Sequence, residues 1–378
     1  KAFSENKNIP RFVAGSIGPT SKTASISSNQ DDPSARDVSF DELVSAYSEQ
    51  ISGLVDGGSD LILIETIFDG LNAKAAVYAA DKVFEVKGKT LPIMISATVA
   101  GMDGRILSGQ TLKAFFYSIP RKHILSIGLN CSFGCRELSP LVRELAEEFP
   151  YFISIHPNAG LPDINGNYSE SPSETASLIR ELAWDGILNI AGGCCGTTPE
   201  HIREISTALH GISPRIPSQN RHKSIFCGLE TVELSPEMNF INIGERNNVA
   251  GSAKFKKLIK SKNYNEALST ALDQIENGAQ IIDINFDDGM IDARYEMEHY
   301  LKLLGSEPSI SKVPVMIDSS DFSVLEAGLK ALQGKPIVNS ISLKSGEVEF
   351  LRQADLISKY GAGAVVMAFD ENGQADTF

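Results

Sequence analysis

DLILIET (residues 60–66) sets four consecutive apolar residues between an aspartate and the pair Glu65 and Thr66. A strand with one wet face alternates apolar and polar side chains. One without alternation is buried on both faces, as in a parallel sheet covered by helices. Similar runs flank it on both sides: RFVAGSIGPT (11–20), LPIMISAT (91–98), LSIGLNC (125–131), FISIHPNAG (152–160) and ILNIAGG (187–193). Helical patterns separate them. The one from Phe40 to Asp56 opens on Ser39 with Glu42 three residues later, the spacing of a capping box.

The rhythm lapses between Ile212 and Glu237, where Pro, Ser and basic residues gather, and then restarts. FINIGERNN (240–248), AQIIDINFDDG (279–289), VPVMIDSSD (313–321), KPIVNSISLKSG (335–346) and GAVVMAFDENG (363–373) repeat the strand-to-turn signature. These runs predict an α/β chain of two tandem (β/α)8 TIM-type barrels, both incomplete. The first unit spans 1–213, a linker 214–237, and the second unit 238–378. Six strands in one unit and five in the other fall short of the roughly eight that close such a barrel, so the chain is expected to be a fragment.

A net charge of −14 without a basic cluster argues against a nucleic-acid surface. No apolar run approaches the ~20 residues that span a bilayer, and the first residues are polar, so neither a membrane partner nor a secretory signal is expected. The expected location is cytoplasmic. There the five cysteines serve as metal ligands or free thiols rather than as a disulfide framework.

In a β/α barrel the chemistry is carried at the C-terminal ends of the strands. Glu65 with Thr66, Asn130 with Cys131, His156 with Asn158, and Cys194 with Cys195 all fall there in the first unit. Adjacent thiols can reach one cation only if the backbone turns sharply, which Gly192, Gly193 and Gly196 permit. A disulfide between them would be strained. Cys131, Cys194 and Cys195 could form a three-thiolate zinc site with its fourth position open to substrate, or stand as free thiols at a barrel mouth. Cys135 and Cys227 read as core or surface residues. Three sulfurs make zinc a poor Lewis acid for hydrolysis but leave a bound substrate thiol nucleophilic, which suits alkyl transfer to sulfur. In the second unit a buried carboxylate and an amide suit the donor edge of a pterin, and Asp318 and Asn339 stand at successive strand ends.

GLNCSFG (128–134) and NIAGGCCGTTPEHI (189–202) resemble the zinc signature of the homocysteine S-methyltransferase family. FINIGERNNVAGSAKF (240–255), IIDINFDDGM (281–290), MIDSS (316–320), IVNSIS (337–342) and VVMAFDENGQADT (365–377) resemble the pterin-binding module of cobalamin-dependent methionine synthases, and the modules come in the same order. The resemblance implies that Cys131, Cys194 and Cys195 bind zinc and activate homocysteine, with Glu65 holding its amino group. It places Gly251, Ser252 and Ala253 on the folate site beside Asp318 and Asn339, with Asp283, Asn285 and Asp370 as ligand contacts or internal hydrogen-bond partners. The implied reaction moves a methyl group from 5-methyltetrahydrofolate, through methylcobalamin on a cobalamin-binding domain absent from this chain, to homocysteine, giving methionine.

Other readings share parts of this pattern. A corrinoid-free thiol methyltransferase using betaine or a sulfonium donor would share the cysteines without needing the second unit. A pterin-condensing synthase would share the second unit without the first. A zinc-storage or scaffold protein would not need polar residues at the strand ends. Glu65 could be an ion-paired rim carboxylate, and GSAKF (251–255) an ordinary strand-to-helix connection.

Overall fold

The computed structural model describes residues 10–218 and 224–376; residues 219–223 of the expected linker and Thr377 lie outside them. The first unit runs β1 (Ala14–Ile17), α1 (Phe40–Asp56), β2 (Leu61–Ile67), α2 (Gly70–Lys87), β3 (Ile93–Ala97), α3 (Leu112–Ser118), β4 (Ile124–Asn130), α4 (Cys135–Glu148), β5 (Phe152–His156), α5 (Pro172–Trp184), β6 (Ile190–Ala191) and α6 (Pro199–Ala208). All six strands are parallel and pair in the order of the sequence, β1 to β6. A doubly wound sheet reverses its order midway and puts helices on both faces. Sequential order with crossovers of one hand keeps the helices on one face and curls the sheet around the other, which is the start of a barrel.

The capping box expected at Ser39 is present: Ser39 Oγ accepts from the Glu42 N–H at 3.2 Å, and the Glu42 carboxylate accepts from the Ser39 N–H at 2.8 Å. Ser171 and Glu174 repeat it on α5. Cys135 and Cys227 are buried in the core.

The chain then forms a hairpin, β7 (Ser224–Cys227) with β8 (Thr231–Leu234), and enters the second unit. This comprises β9 (Ile243–Asn248), α7 (Ala253–Lys260), α8 (Tyr264–Glu276), β10 (Ile281–Asn285), α9 (Ala293–Gly305), α10 (Pro308–Ser311), β11 (Val315–Asp318), α11 (Phe322–Ala331), β12 (Ile337–Ile341), α12 (Glu347–Lys359) and β13 (Gly363–Val366). A small hairpin, β14 (Phe369–Asp370) with β15 (Gly373–Gln374), follows. Strands β9 to β13 again pair sequentially and in parallel. No described helix is long and apolar enough to cross a membrane.

The stretch between the units is more ordered than its composition suggests. The β7–β8 hairpin is wedged between them: Cys227 and Lys335 exchange backbone hydrogen bonds, Thr111 N–H donates to the Leu229 carbonyl, and Leu229 N–H donates to the Ser311 carbonyl. Ile225, Cys227 and Leu229 are buried there. The ring of Tyr78 on α2 stacks on Tyr360, just after α12, with centroids 5.1 Å apart. Lys74, 1% exposed, reaches across from α2 to donate to the carbonyls of Leu332 and Gly334 at the end of α11, at 3.1 and 2.8 Å. A cation at a helix C-terminus meets the negative end of the helix dipole. Burial without a carboxylate partner nonetheless pushes the Lys74 ammonium down to about 7. The two units share one continuous apolar core.

Candidate functional site

The ends of β4 and β6 bring three sulfurs together. Cys131 Sγ lies 3.8 Å from Cys195 Sγ, Cys194 Sγ lies 4.0 Å from Cys195 Sγ, and all three fall within 4.8 Å of one another. Two local features make this possible. Cys131 and Ser132 leave the strand with φ of 63° and 62°, a left-handed turn that swings the Cys131 thiol over the rim. After Cys195 the chain turns at Gly196, φ 79°. Of the three glycines expected to permit this turn, only Gly196 is left-handed. Gly192 is needed for space instead: a Cβ there would stand 2.7 Å from His156 Cδ2.

Asn130, 1% exposed, organises the loop ends. Its Oδ1 accepts from the Thr66 N–H at 2.9 Å and from Ser96 Oγ at 2.7 Å. Its Nδ2 donates to Thr66 Oγ1 at 2.8 Å and to Cys194 Sγ at 3.8 Å. Asn158 Oδ1 accepts from the Cys195 N–H at 3.2 Å, and the Cys194 N–H donates to the Pro157 carbonyl at 2.8 Å. In the absence of a cation, burial and the neighbouring charge of Cys131 push the Cys194 thiol up to about 12.

The sulfur positions fit zinc. Thiolates on tetrahedral zinc, with Zn–S near 2.3 Å, stand about 3.8 Å apart, so the observed cluster needs little adjustment. Three donors leave one position for a fourth.

Glu65 lies near the C-terminal end of β2, on the same rim. It accepts a hydrogen bond from Ser16 Oγ of β1, and among the described residues no Lys or Arg pairs with it. Its charge tends to raise the His156 imidazole, but burial outweighs this and pushes His156 down toward the neutral form. An acidic side chain without a basic partner can receive a substrate ammonium.

The second sheet aligns four polar residues in one register row: Asn248 pairs with Asn285, Asn285 with Asp318, and Asp318 with Asn339, one residue from each of β9 to β12. Asn285 Nδ2 donates to Asp318 Oδ2 at 2.9 Å. Asp283 lies two residues earlier on β10, hence on the same face. It is 3% exposed, and its Oδ1 has no hydrogen-bond partner among the described residues. Burial and the nearby Asp318 charge push its carboxyl up to about 7, so it can hold a proton near neutral pH. Asp318 is also raised, by burial and against its bond from Asn285.

The remaining expected residues are more dispersed. Ser252 caps α7, accepting from the Phe255 N–H at 3.2 Å, and Ala253 is the first residue of that helix. A Cβ on Gly251 would meet Asn248 only at 3.7 Å, so packing does not demand glycine there. Asp370 is exposed in the β14–β15 hairpin, where its carboxylate accepts from the Asn372 and Gly373 N–H groups. The sequence did not single out Asp287, which accepts from Ser319 Oγ and from the N–H and Oγ of Ser320. Nor did it mark Ser16, which no local pattern connects to Glu65.

The homocysteine S-methyltransferase profile matches residues 1–209, and the pterin binding enzyme profile matches residues 244–377. Among solved structures, the chain is similar to the homocysteine methyltransferase MmuM from Escherichia coli in its apo form (19% identity, 55% of this chain, 68% of that one, TM-score 0.38). It is similar also to the oxidized form of that protein (17% identity, 55% and 65%, TM-score 0.39). With the family profile covering more than half of its length and a pterin-binding domain behind it, the order of methionine synthase-type proteins, this chain belongs to the homocysteine S-methyltransferase family.

Proposed function

We propose that this homocysteine methyltransferase takes its methyl group from 5-methyltetrahydrofolate by way of a cobalamin carrier, with zinc held by Cys131, Cys194 and Cys195. The observation that carries the reading is the three-sulfur cluster at the rim of one sheet, followed in the same chain by a polar register row on a second sheet. Zinc bound by three thiolates would lower the pKa of an incoming thiol and keep its sulfur nucleophilic. Glu65, oriented by Ser16, would hold the homocysteine ammonium and so aim its thiol at the sulfur cluster. Asp318 and Asn339 would accept from and donate to the pterin edge, and Asn285 would fix the Asp318 carboxylate. Asp283 would meet the ligand as a protonated acid, able to donate a hydrogen bond where an ionised carboxylate could not. Cobalamin would supply the strong nucleophile that an N5-methyl group requires, because an amine is a reluctant leaving group. Gly251, Ser252 and Ala253 would border the folate, and Asp370 would approach it from the hairpin.

The test is metal analysis of the purified chain, titration with homocysteine and with methyltetrahydrofolate, and methyl transfer with free cobalamin added together with a reductant that keeps its cobalt in the +1 state. The expected result is one zinc per chain, separate binding of both ligands, and methionine formed only when cobalamin is present. Methionine formed from betaine or a sulfonium donor without cobalamin would overturn the folate route. The pterin-binding domain favours the folate donor over that alternative.

A further inference from the structure

The three cysteines follow β4 and β6, which do not pair with each other; β5 lies between them. The segment that leaves β5, His156 to Ala159, is bonded to both cysteine-bearing loops. On the β4 side, the Cys131 N–H donates to the His156 carbonyl at 3.1 Å, and the Asn158 N–H donates to the Phe133 carbonyl at 3.0 Å. These two bonds bracket Cys131 and Ser132, whose left-handed backbone swings the first thiol over the rim. On the β6 side, the Cys194 N–H donates to the Pro157 carbonyl at 2.8 Å and the Cys195 N–H to Asn158 Oδ1 at 3.2 Å, while the Ala159 N–H donates to the Cys195 carbonyl at 2.9 Å. Within this segment Asn158 is the residue bonded to both loops, through its backbone to one and its side chain to the other, and it is 4% exposed. The segment is itself held from behind: the Glu170 N–H donates to the Ala159 carbonyl at 3.0 Å, and His201 Nε2 lies 3.2 Å from the Glu170 carbonyl.

We propose that Asn158 is a positioning residue of the sulfur site, tying the loop of Cys195 to the loop of Cys131 so that the sulfurs are gathered before a cation arrives. The inference rests on the zinc reading and deepens it. Two loops on strands that are not neighbours can drift relative to each other, and each bond they share through the end of β5 removes part of that freedom. Sulfurs already gathered lose little conformational entropy when they close on a cation, so preorganisation is expressed as metal affinity. A left-handed backbone at a residue other than glycine persists only where its surroundings over-determine it, and the bonds at His156 and Phe133 do so for Cys131 and Ser132. The Asn158 side chain is the link that a substitution can remove without replacing a cysteine, because it alone in the segment bonds through a side chain, as acceptor for the Cys195 N–H.

The test uses the full chain. Zinc affinity is read by competition against a chromophoric chelator, and the state of the sulfurs is read from cobalt(II) put in place of zinc, whose sulfur-to-cobalt charge-transfer band reports on the sulfur donors. Asn158→Ala leaves the Cys195 N–H without its acceptor and should bind zinc about 10- to 100-fold more weakly. At saturating cobalt its band should be weaker per metal ion than that of the wild type. Asn158→Leu fills the same space without the acceptor and should show the same losses, which keeps the measurement open if the cavity left by alanine costs the fold. Asn158→Asp keeps the shape and the acceptor oxygen, and should lose less zinc affinity than either. A purely structural role would lower the urea midpoint of these variants while leaving zinc affinity and the saturated cobalt band at their wild-type values, and that result overturns the proposal. Equal loss of zinc affinity in the aspartate and leucine variants, both with wild-type circular dichroism, also overturns it, since the acceptor would then not be what matters. A wild-type chain that binds cobalt without a sulfur band refutes the zinc reading itself, and the proposal falls with it.

Discussion

Asn130→Ala should damage the proposed metal site without replacing any of the three cysteines. The side chain is buried and makes four contacts, three of them to Thr66 and Ser96 and the fourth to Cys194 Sγ. Thr66 and Cys131 both hold left-handed backbone conformations, with φ of 58° and 63°, that a non-glycine residue keeps only under constraint. Removing the amide leaves the Thr66 N–H without an acceptor, which costs about 1–3 kcal/mol. The Ser96 and Thr66 hydroxyls can rotate toward other partners and lose less, about 0.5–1.5 kcal/mol each. The sum is roughly 2–6 kcal/mol of folding stability, readable as a lower urea midpoint. Loosening the support of a metal ligand typically lowers affinity about 10- to 100-fold, so zinc competition against a chromophoric chelator should report a loss of that order. Asn130→Asp keeps the acceptor for Thr66 and Ser96 but loses both donors, and should fall between the alanine variant and the wild type. If Asn130→Ala binds zinc within about twofold of wild type, the amide does not position Cys131 and Cys194, and the reasoning fails.

Cys195→Ser should lower zinc occupancy in elemental analysis, whereas Cys135→Ser and Cys227→Ser, both in the core, should leave it intact; equal loss in all three would mean that fold rather than ligation controls the metal. Asp318→Asn removes a charge-assisted contact worth about 1.5–3 kcal/mol, so calorimetry should show methyltetrahydrofolate binding weakened about 10- to 100-fold with zinc content unchanged. Unaltered folate affinity would remove Asp318 from that site. For Lys74, the folded chain releases the proton near pH 7 while the unfolded chain keeps it to about 10.5, so stability rises with pH across that window. Between pH 7 and 9 the gain is about 2–3 kcal/mol, absent from Lys74→Met; a difference in urea midpoint between the two proteins that stays flat with pH would refute it.

The strands and the capping box at Ser39 could be read from the chain because each depends on neighbours a few residues away. Unbroken apolar runs such as DLILIET can be satisfied only by burial on both faces, and Ser39 meets Glu42 within one helical turn. Residue type and position at strand ends marked Cys131, Cys194 and Cys195 as candidates, but that their sulfurs lie within 4.8 Å of one another was decided by the folded sheet. The hairpin at β7–β8 was not legible, because its Pro- and Ser-rich approach looks like a connector and only the two units it contacts make its short strands worth burying. The alignment of Asn248, Asn285, Asp318 and Asn339 was not legible either. Each strand announces its own polar end, but a slip of one residue between strands would turn these side chains to the opposite face, and register is set by helices packing across the whole sheet. Ser16 beside Glu65, Asn130 beneath the cysteines and Lys74 across the units are contacts between segments far apart in sequence. Local propensity carries no information about such pairs, which exist only once the backbone has paid the entropy of closing the loops between them.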